Sequence, residues 1–305
     1  MNNESYPPLF NQQSHQTQII DIDEPIQDLE DLDLIPIIDL QCLSLDKLEE
    51  ACKDWGLFRL VNHGIPSKLM TQIQDQAKNL FSLSFEHKQA ILSSPLSYFW
   101  GTTARTISGA ALRSPKTISW VEVINFPLVG LSESRFEDSL KMYKIYGLFI
   151  HFYGRVRSLM DEYGRHQARL ARTIYESMAK NLGLDSRLSK SYLSESTGFI
   201  RVNRCPRIPK GNQAWGVGVH TDSTLLSILN QDQLGGLEVF KENKWILVKP
   251  IADSLIVNLG DMIQTISNDL YTSAKHRVKV KKQEDRITIN YFVFPQFDCT
   301  LQSPK

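Results

Sequence analysis

Apolar and polar residues change period along this chain. From about residue 198 onward they fall into short runs: "FIRVNRC", "STLLSILNQ", "LEVFKENKWILVKP", "SLIVNLGDMIQTIS", "AKHRVKVKK" and "RITINYFVFP". Gly, Pro and Asn-Asp punctuate them. Regular short strands with turn signals predict a sandwich or jelly roll. Over 134–184 the period lengthens, and "HQARLARTIYESMAKNLGL" predicts a helix ending near Gly183. "MYKIYGLFIHFYG", in the same region, is unusually aromatic. Upstream, "LIPIIDL" (34–40) predicts a strand. Ser44 opens a helix in which Leu48, Ala51, Cys52 and Trp55 recur at helical spacing and which Gly56 closes. "LFRLVNHG" predicts a strand, and "PSKLMTQIQDQAKNLFSL" a second amphipathic helix with Pro66 near its start. Residues 95–115 are rich in Ser, Thr, Gly and Pro and read as a loop, although they carry Tyr98, Phe99 and Trp100. "WVEVINFPL" returns to strand character. Residues 1–33 lack apolar periodicity and are expected to form a flexible arm.

Composition narrows the classes. A chain of 305 residues, 42% hydrophobic, can bury one large core or a core with a helical annex. Its 34 Lys and Arg balance its 34 Asp and Glu, so it has no basic stripe to suit nucleic acid. Only residues 21–33 are locally acidic. Cys42, Cys52, Cys205 and Cys299 are far apart, which fits a reducing compartment better than a disulfide framework. The polar N-terminus does not read as a signal peptide, and no apolar run approaches a membrane span. A cytoplasmic location is expected, with the oligomeric state left open.

Three features then suggest chemistry. His220 and Asp222 are separated by one residue, so in a strand both side chains share a face. His276 lies in another predicted strand downstream. Two histidines and a carboxylate form the facial triad of non-haem iron(II), with three adjacent positions open. The same ligand types also suit a zinc hydrolase. Arg286 and Thr288 alternate onto one strand face, where a guanidinium fork and a hydroxyl are suited to grip a carboxylate. That pair has no role in zinc hydrolysis and favours iron with a 2-oxo acid. Taken singly, each feature describes an ordinary solvated strand.

With these residues in hand, the chain from Leu34 to about Asp298 resembles plant-type 2-oxoglutarate- and iron(II)-dependent dioxygenases. The resemblance is carried by "IPIIDL", "ACKDWGLFRLVNHGIP", "LFSLSFEHKQA", "VGVHTDSTLLSIL", "GGLEVFKENKWILVKP", "LIVNLGDMIQTISN" and "SAKHRVKV". It implies a mainly β, α+β fold: a double-stranded β-helix (jelly roll) core flanked by helices. It also implies an arm over 1–33, an N-terminal dioxygenase region over 34–130, a helical segment over 131–195 and the core over 196–305. His220, Asp222 and His276 match the iron ligands. Arg286 and Thr288 match the pair that binds the distal carboxylate of 2-oxoglutarate, and Asn203 belongs to the same site. Dioxygen and a small-molecule substrate complete the reaction, with ascorbate as a supporting reductant. Within the family, "SYFWG" (97–101) and "SWVEVINFPL" (119–128) are most similar to gibberellin oxidases, especially 2-oxidases of gibberellins that retain the twentieth carbon. On that reading Tyr98, Trp100, Trp120, Phe292 and Phe294 line the substrate pocket, and Arg105 and Arg113 are candidates to meet a substrate carboxylate. The alternatives are the same chemistry on a flavonoid, alkaloid or phenolic, or a non-catalytic binding member. Two departures bear on activity. Cys205 stands where the family has a tyrosine that reaches 2-oxoglutarate, so one hydrogen bond of roughly 0.5–1.5 kcal/mol is expected to be lost. The chain also stops at Lys305, before a C-terminal helical segment that relatives carry, so an open barrel mouth with Trp100, Phe292 and Phe294 partly exposed is expected.

Overall fold

The computed structural model describes residues 3–6, 34–91, 98–101, 119–128, 147–184, 193, 198–207, 215–281 and 283–295. The N-terminal region pairs β1 (Ile37–Asp39) with β2 (Leu57–Val61) in parallel. Between them runs α1 (Leu45–Asp54), whose first turn is capped by the Ser44 hydroxyl accepting from the Lys47 amide. Its buried residues are Leu48, Ala51 and Cys52, on the face that the apolar spacing predicts. Helices α2 (Ser67–Ser82) and α3 (Phe85–Ile91) follow, then β3 (Tyr98–Trp100) and β4 (Glu122–Pro127). A long helix, α4 (Gly147–Asn181), precedes the core strands. These are β5 (Phe199–Cys205), β6 (Trp215–His220), β7 (Leu226–Gln231), β8 (Leu237–Lys241), β9 (Lys244–Leu247) and β10 (Leu255–Leu259). After the short α5 (Asp261–Ile266) come β11 (His276–Lys279) and β12 (Arg286–Val293).

The strands form two sheets. The larger has the order β1-β2-β10-β7-β12-β5-β4-β3, and the smaller β6-β11-β8-β9. Every pairing except β1 with β2 is antiparallel. The expected jelly-roll architecture with flanking helices is therefore the one observed. β12 explains how the two layers meet. Its Ile287, Ile289, Tyr291 and Val293 alternate onto one face, where Ile289 and Tyr291 join the core that also takes Ile73, Leu80, Tyr163 and Ile174 from α2 and α4. Its Arg286, Thr288, Asn290 and Phe292 occupy the other face, toward the smaller sheet. Among the described residues no helix is long and apolar enough to cross a membrane.

Two expectations change. Tyr98–Trp100, read as part of a loop, is an edge strand, because β4 offers it a hydrogen-bonding partner that local composition does not reveal. Within the expected arm, Asn3–Ser5 form a short 3-10 turn, and Ser5 and Tyr6 are buried. The Tyr6 ring lies 5.0 Å from Trp100 and 6.1 Å from Trp120, and Ser5 accepts from Lys88 and Arg204. Residues 134–146 of the expected helical region, with the start of the aromatic stretch, lie outside the described residues.

One glycine holds the core strands to the loop after β6. Gly260 follows β10, and a Cβ there would sit 1.9 Å from the backbone oxygen of Thr224. Neither backbone can yield without breaking the bonds from Gly260 N–H to Leu225 and from Met262 N–H to Thr224. Gly260→Ala is expected to destabilise the protein by about 3 kcal/mol or more. Thermal unfolding checks this: a midpoint within a degree of the parent would show that the contact relaxes freely.

Candidate active site

A cavity of about 440 Å³ opens between the two sheets. The smaller sheet brings His220, at the end of β6, opposite His276 at the start of β11, and the two are register partners. Their rings are 4.2 Å apart. Asp222 lies just beyond β6 in the turn into β7, so its approach depends on that turn as well as on strand alternation. Its Oδ1 is 3.6 Å from His220 Nε2 and 3.8 Å from His276 Nε2. The three ligand atoms all lie within 4.8 Å of one another. A metal bound at about 2.0–2.2 Å needs ligand atoms no more than roughly 4.4 Å apart, and both carboxylate–imidazole separations meet that.

The hydrogen bonds around the three groups decide which atoms are free. His220 Nδ1 donates to the Gly218 carbonyl (2.8 Å), and His276 Nδ1 to the Ala274 carbonyl (2.9 Å). A carbonyl can only accept, so each neutral ring carries its proton on Nδ1 and offers the Nε2 lone pair. Burial pushes the Asp222 carboxyl up. His220 and His276, when protonated, and the Ser227 hydroxyl outweigh it and hold the pKa at about 2. His276 is pushed down by burial, against the pull of Asp222. Burial also disfavours the charged form of His220, but Asp222 raises it overall.

The larger sheet supplies the rest of the cavity. β5 and β12 are paired so that Cys205 faces Arg286, Asn203 faces Thr288, Arg201 faces Asn290 and Phe199 faces Phe292. Arg286 is 3% exposed. Its Nε donates to the Gly235 carbonyl (2.6 Å), while one terminal guanidinium nitrogen is buried without a partner. Thr288 accepts from Asn203 Nδ2 at 3.3 Å, so its own hydroxyl hydrogen remains to be donated. A bare guanidinium nitrogen beside an oriented hydroxyl is what a carboxylate would complete. Cys205 lies against Arg286, and burial raises its thiol pKa to about 11. It stays a neutral, weak donor there.

Of the aromatic candidates, Phe292 and Phe294 line the cavity. Phe292 is buried against Phe199, with ring centroids 5.2 Å apart, whereas Phe294 and Trp100 are partly exposed, as expected. Tyr98, Trp100 and Trp120 are elsewhere. Trp100 pairs across the strands with Glu122 and Tyr98 with Ile124, so both share the face opposite Val121 and Val123, which line the cavity. Tyr98 donates to Glu122 (2.7 Å), Trp100 donates to Tyr98 (3.1 Å) and Trp120 donates to the Pro206 carbonyl (3.0 Å). They enclose a buried cluster in which Glu122 meets Lys88 and Arg204. Arg105, Arg113 and the C-terminal stretch lie outside the described residues.

Arg201 is the cavity residue that the sequence reading missed. Its guanidinium carbon is 5.0 Å from the Phe292 ring, 5.2 Å from Phe199 and 5.8 Å from Phe99. Its Nε donates to Asn125 (2.9 Å), and no carboxylate pairs with it among the described residues. Burial lowers its pKa, opposed by Asp222. The signal was present: Arg201 is in phase with Asn203 in "FIRVNRC", so strand period alone puts the two on one face.

The fold and this cavity belong to a class of enzyme that oxidises small molecules with dioxygen and a 2-oxo acid. Residues 196–295 match the 2OG-Fe(II) oxygenase superfamily, and residues 35–137 match the N-terminal region of non-haem dioxygenases in morphine synthesis. Gibberellin 2-beta-dioxygenase 8 of Arabidopsis thaliana is 31% identical over 280 residues, covering 88% of this chain and 76% of the relative. Jasmonate-induced oxygenase 1 of the same plant is 32% identical over 302 residues, covering 95% and 70%. The crystal structure of JOX2 in complex with 2OG, Fe and JA superposes with a TM-score of 0.73 at 29% identity, covering 89% of this chain and 78% of that one. A dioxygenase for auxin oxidation from Arabidopsis thaliana, bound to 2-oxoglutarate, gives 0.71 at 26%, covering 89% and 96%. The chain belongs to the 2-oxoglutarate- and iron(II)-dependent oxygenase family and is a dioxygenase that uses both cofactors.

Proposed function

We propose that the enzyme hydroxylates a carboxylate-bearing plant small molecule, with a gibberellin as the first candidate and hormone inactivation as the outcome. The observation that carries the substrate class is Arg201, a half-buried cation among three aromatic rings that forms no direct ion pair among the described residues and feels only the more distant charge of Asp222. A cation held partly out of water gains from a direct anionic partner, and the rings suit an apolar body attached to that anion. Gibberellins have both parts. The jasmonate- and auxin-named relatives support a second reading, since those hormones are also apolar carboxylic acids.

His220, Asp222 and His276 would hold the iron through two Nε2 atoms and Asp222 Oδ1. Arg286 and Thr288 would grip the far carboxylate of 2-oxoglutarate, with Asn203 orienting the Thr288 hydroxyl as a donor. Cofactor and co-substrate, when bound, supply dioxygen-dependent hydroxylation of an unactivated carbon, with succinate and carbon dioxide as co-products. The chain's own part is placement. Arg201 would hold the substrate carboxylate beside Phe199 and Phe292, and the aliphatic walls at Val121, Val123, Leu229 and Leu237 exclude water.

Arg201→Met keeps the apolar stem and removes the charge. It is expected to lower kcat/KM for a carboxylate substrate by about 100-fold. Turnover of 2-oxoglutarate without substrate should change by less than about twofold. The substrate is found by mass spectrometry, following the gain of one oxygen on gibberellins, jasmonic acid and indole-3-acetic acid. Hydroxylation only of neutral flavonoids or phenolics, unaffected by Arg201→Met, would overturn the carboxylate reading.

A further inference from the structure

We propose that Ser227 and Asn258 are positioning residues for the metal-binding carboxylate: a hydrogen-bond relay from Asn258 through Ser227 holds Asp222 with one oxygen turned toward the metal. This rests on the reading of His220, Asp222 and His276 as the metal ligands. Ser227 is 0% exposed and Asn258 2%. They are register partners on β7 and β10, and Asn258 lines the cavity.

The direction of the relay follows from donor chemistry. Asn258 Nδ2 can only donate, so the Ser227 oxygen accepts from it at 3.1 Å. The single hydroxyl hydrogen is then left for Asp222 Oδ2, at 2.6 Å. Such a short bond is typical of a hydroxyl on an ionised carboxylate. Turning the Asn258 amide over would set two acceptors against that one hydrogen, so the relay also fixes the amide.

The two oxygens of Asp222 therefore have separate roles. Oδ2 is taken by Ser227, and Oδ1 faces both imidazole Nε2 atoms. A carboxylate turns easily about its last torsion, whose preference is broad. Without the relay, Asp222 could rotate and offer both oxygens to the metal. That would occupy one of the three adjacent positions that co-substrate and dioxygen require. The backbone supports the same arrangement. Asp261 N–H donates to the Asp222 carbonyl (2.8 Å), and Gly260 N–H to the Leu225 carbonyl (3.0 Å). Thus the segment that carries Asn258 also fastens the loop that carries Asp222.

The test uses the full chain and metals that report their own binding. Manganese(II) is titrated without 2-oxoglutarate and read from the electron paramagnetic resonance of the free ion. Cobalt(II) is added separately and its visible absorption recorded. Ser227→Ala is expected to weaken manganese binding by about 10–100-fold and to alter the cobalt spectrum. Ser227→Thr, which keeps the hydroxyl, should restore both. Asn258→Leu should shift both in the same direction as Ser227→Ala, by less. If Ser227→Ala does not fold, Asn258→Leu and Ser227→Thr decide on the same two readouts. Parent-like affinity and spectrum in the variants that lack the relay would overturn the proposal. His276→Ala separates the two levels: if it binds manganese like the parent, the metal-site reading itself fails. If it loses binding while Ser227→Ala does not, only the relay fails.

Discussion

An Asp222→Ala protein is expected to form no succinate from 2-oxoglutarate above the metal-free background. Asp222 is the only anionic member of the cluster and is 8% exposed, so water cannot readily replace it. Its carboxyl, held at about 2, is ionised across the whole physiological range and needs no proton removed before it binds a cation. Without it, two neutral imidazoles face a dication with no charge to offset it. The histidines set the acid limit instead. Each must be unprotonated at Nε2 to bind, so metal affinity falls as pH falls. His220, whose pKa is raised, meets that competition first, and His276, whose pKa is lowered, meets it last. Succinate release and manganese titration check the variant, with circular dichroism confirming the fold. Iron-dependent succinate formation at a tenth of the parent rate or more would sink the assignment.

Arg286→Lys is expected to weaken 2-oxoglutarate binding by about 10–100-fold, the loss of one or two charge-assisted hydrogen bonds. Lysine keeps the charge and loses the planar fork. In the parent, Nε is committed to Gly235, one terminal nitrogen is buried without a partner, and Thr288 lines the same cavity. An ammonium group cannot hold Gly235 and a carboxylate in the same fixed geometry. Cys205 offers no compensation, because its neutral thiol is a weak donor. The measurement is an anaerobic titration of 2-oxoglutarate against manganese-loaded protein. Manganese affinity should stay within about twofold of the parent. Equal 2-oxoglutarate affinity in the two proteins would remove Arg286 from the site.

Much of this protein was legible in one dimension. The short runs after residue 198 are eight of the strands of the two sheets, and the three- and four-residue spacing of Leu48, Ala51 and Cys52 is the buried face of α1. Alternation also orders Arg286, Thr288, Asn290 and Phe292 on one side of β12. What alternation cannot supply is which side faces a cavity and which a core. Tyr98, Trp100 and Trp120 show this. Their aromatic character suited a substrate pocket, but the pairing of Trp100 with Glu122 turns them toward a buried Lys88–Glu122–Arg204 cluster. Arg201 shows the converse: it reads as an ordinary strand arginine until β5 and β12 bring Phe199 and Phe292 around it.

The sequence by itself determined the ligand types, the strand and helix periods and the order of the elements, because these depend on side-chain chemistry and on neighbours a few residues away. Tertiary structure alone decided that His276 meets His220 across β6 and β11. It also decided that Ser227 meets Asn258 across β7 and β10, and that Ser5 and Tyr6 pack on the far side of the sheet. Those meetings depend on strand register. Register is set by the summed packing of both sheets and the helices against them, a long-range quantity that no local window of sequence contains.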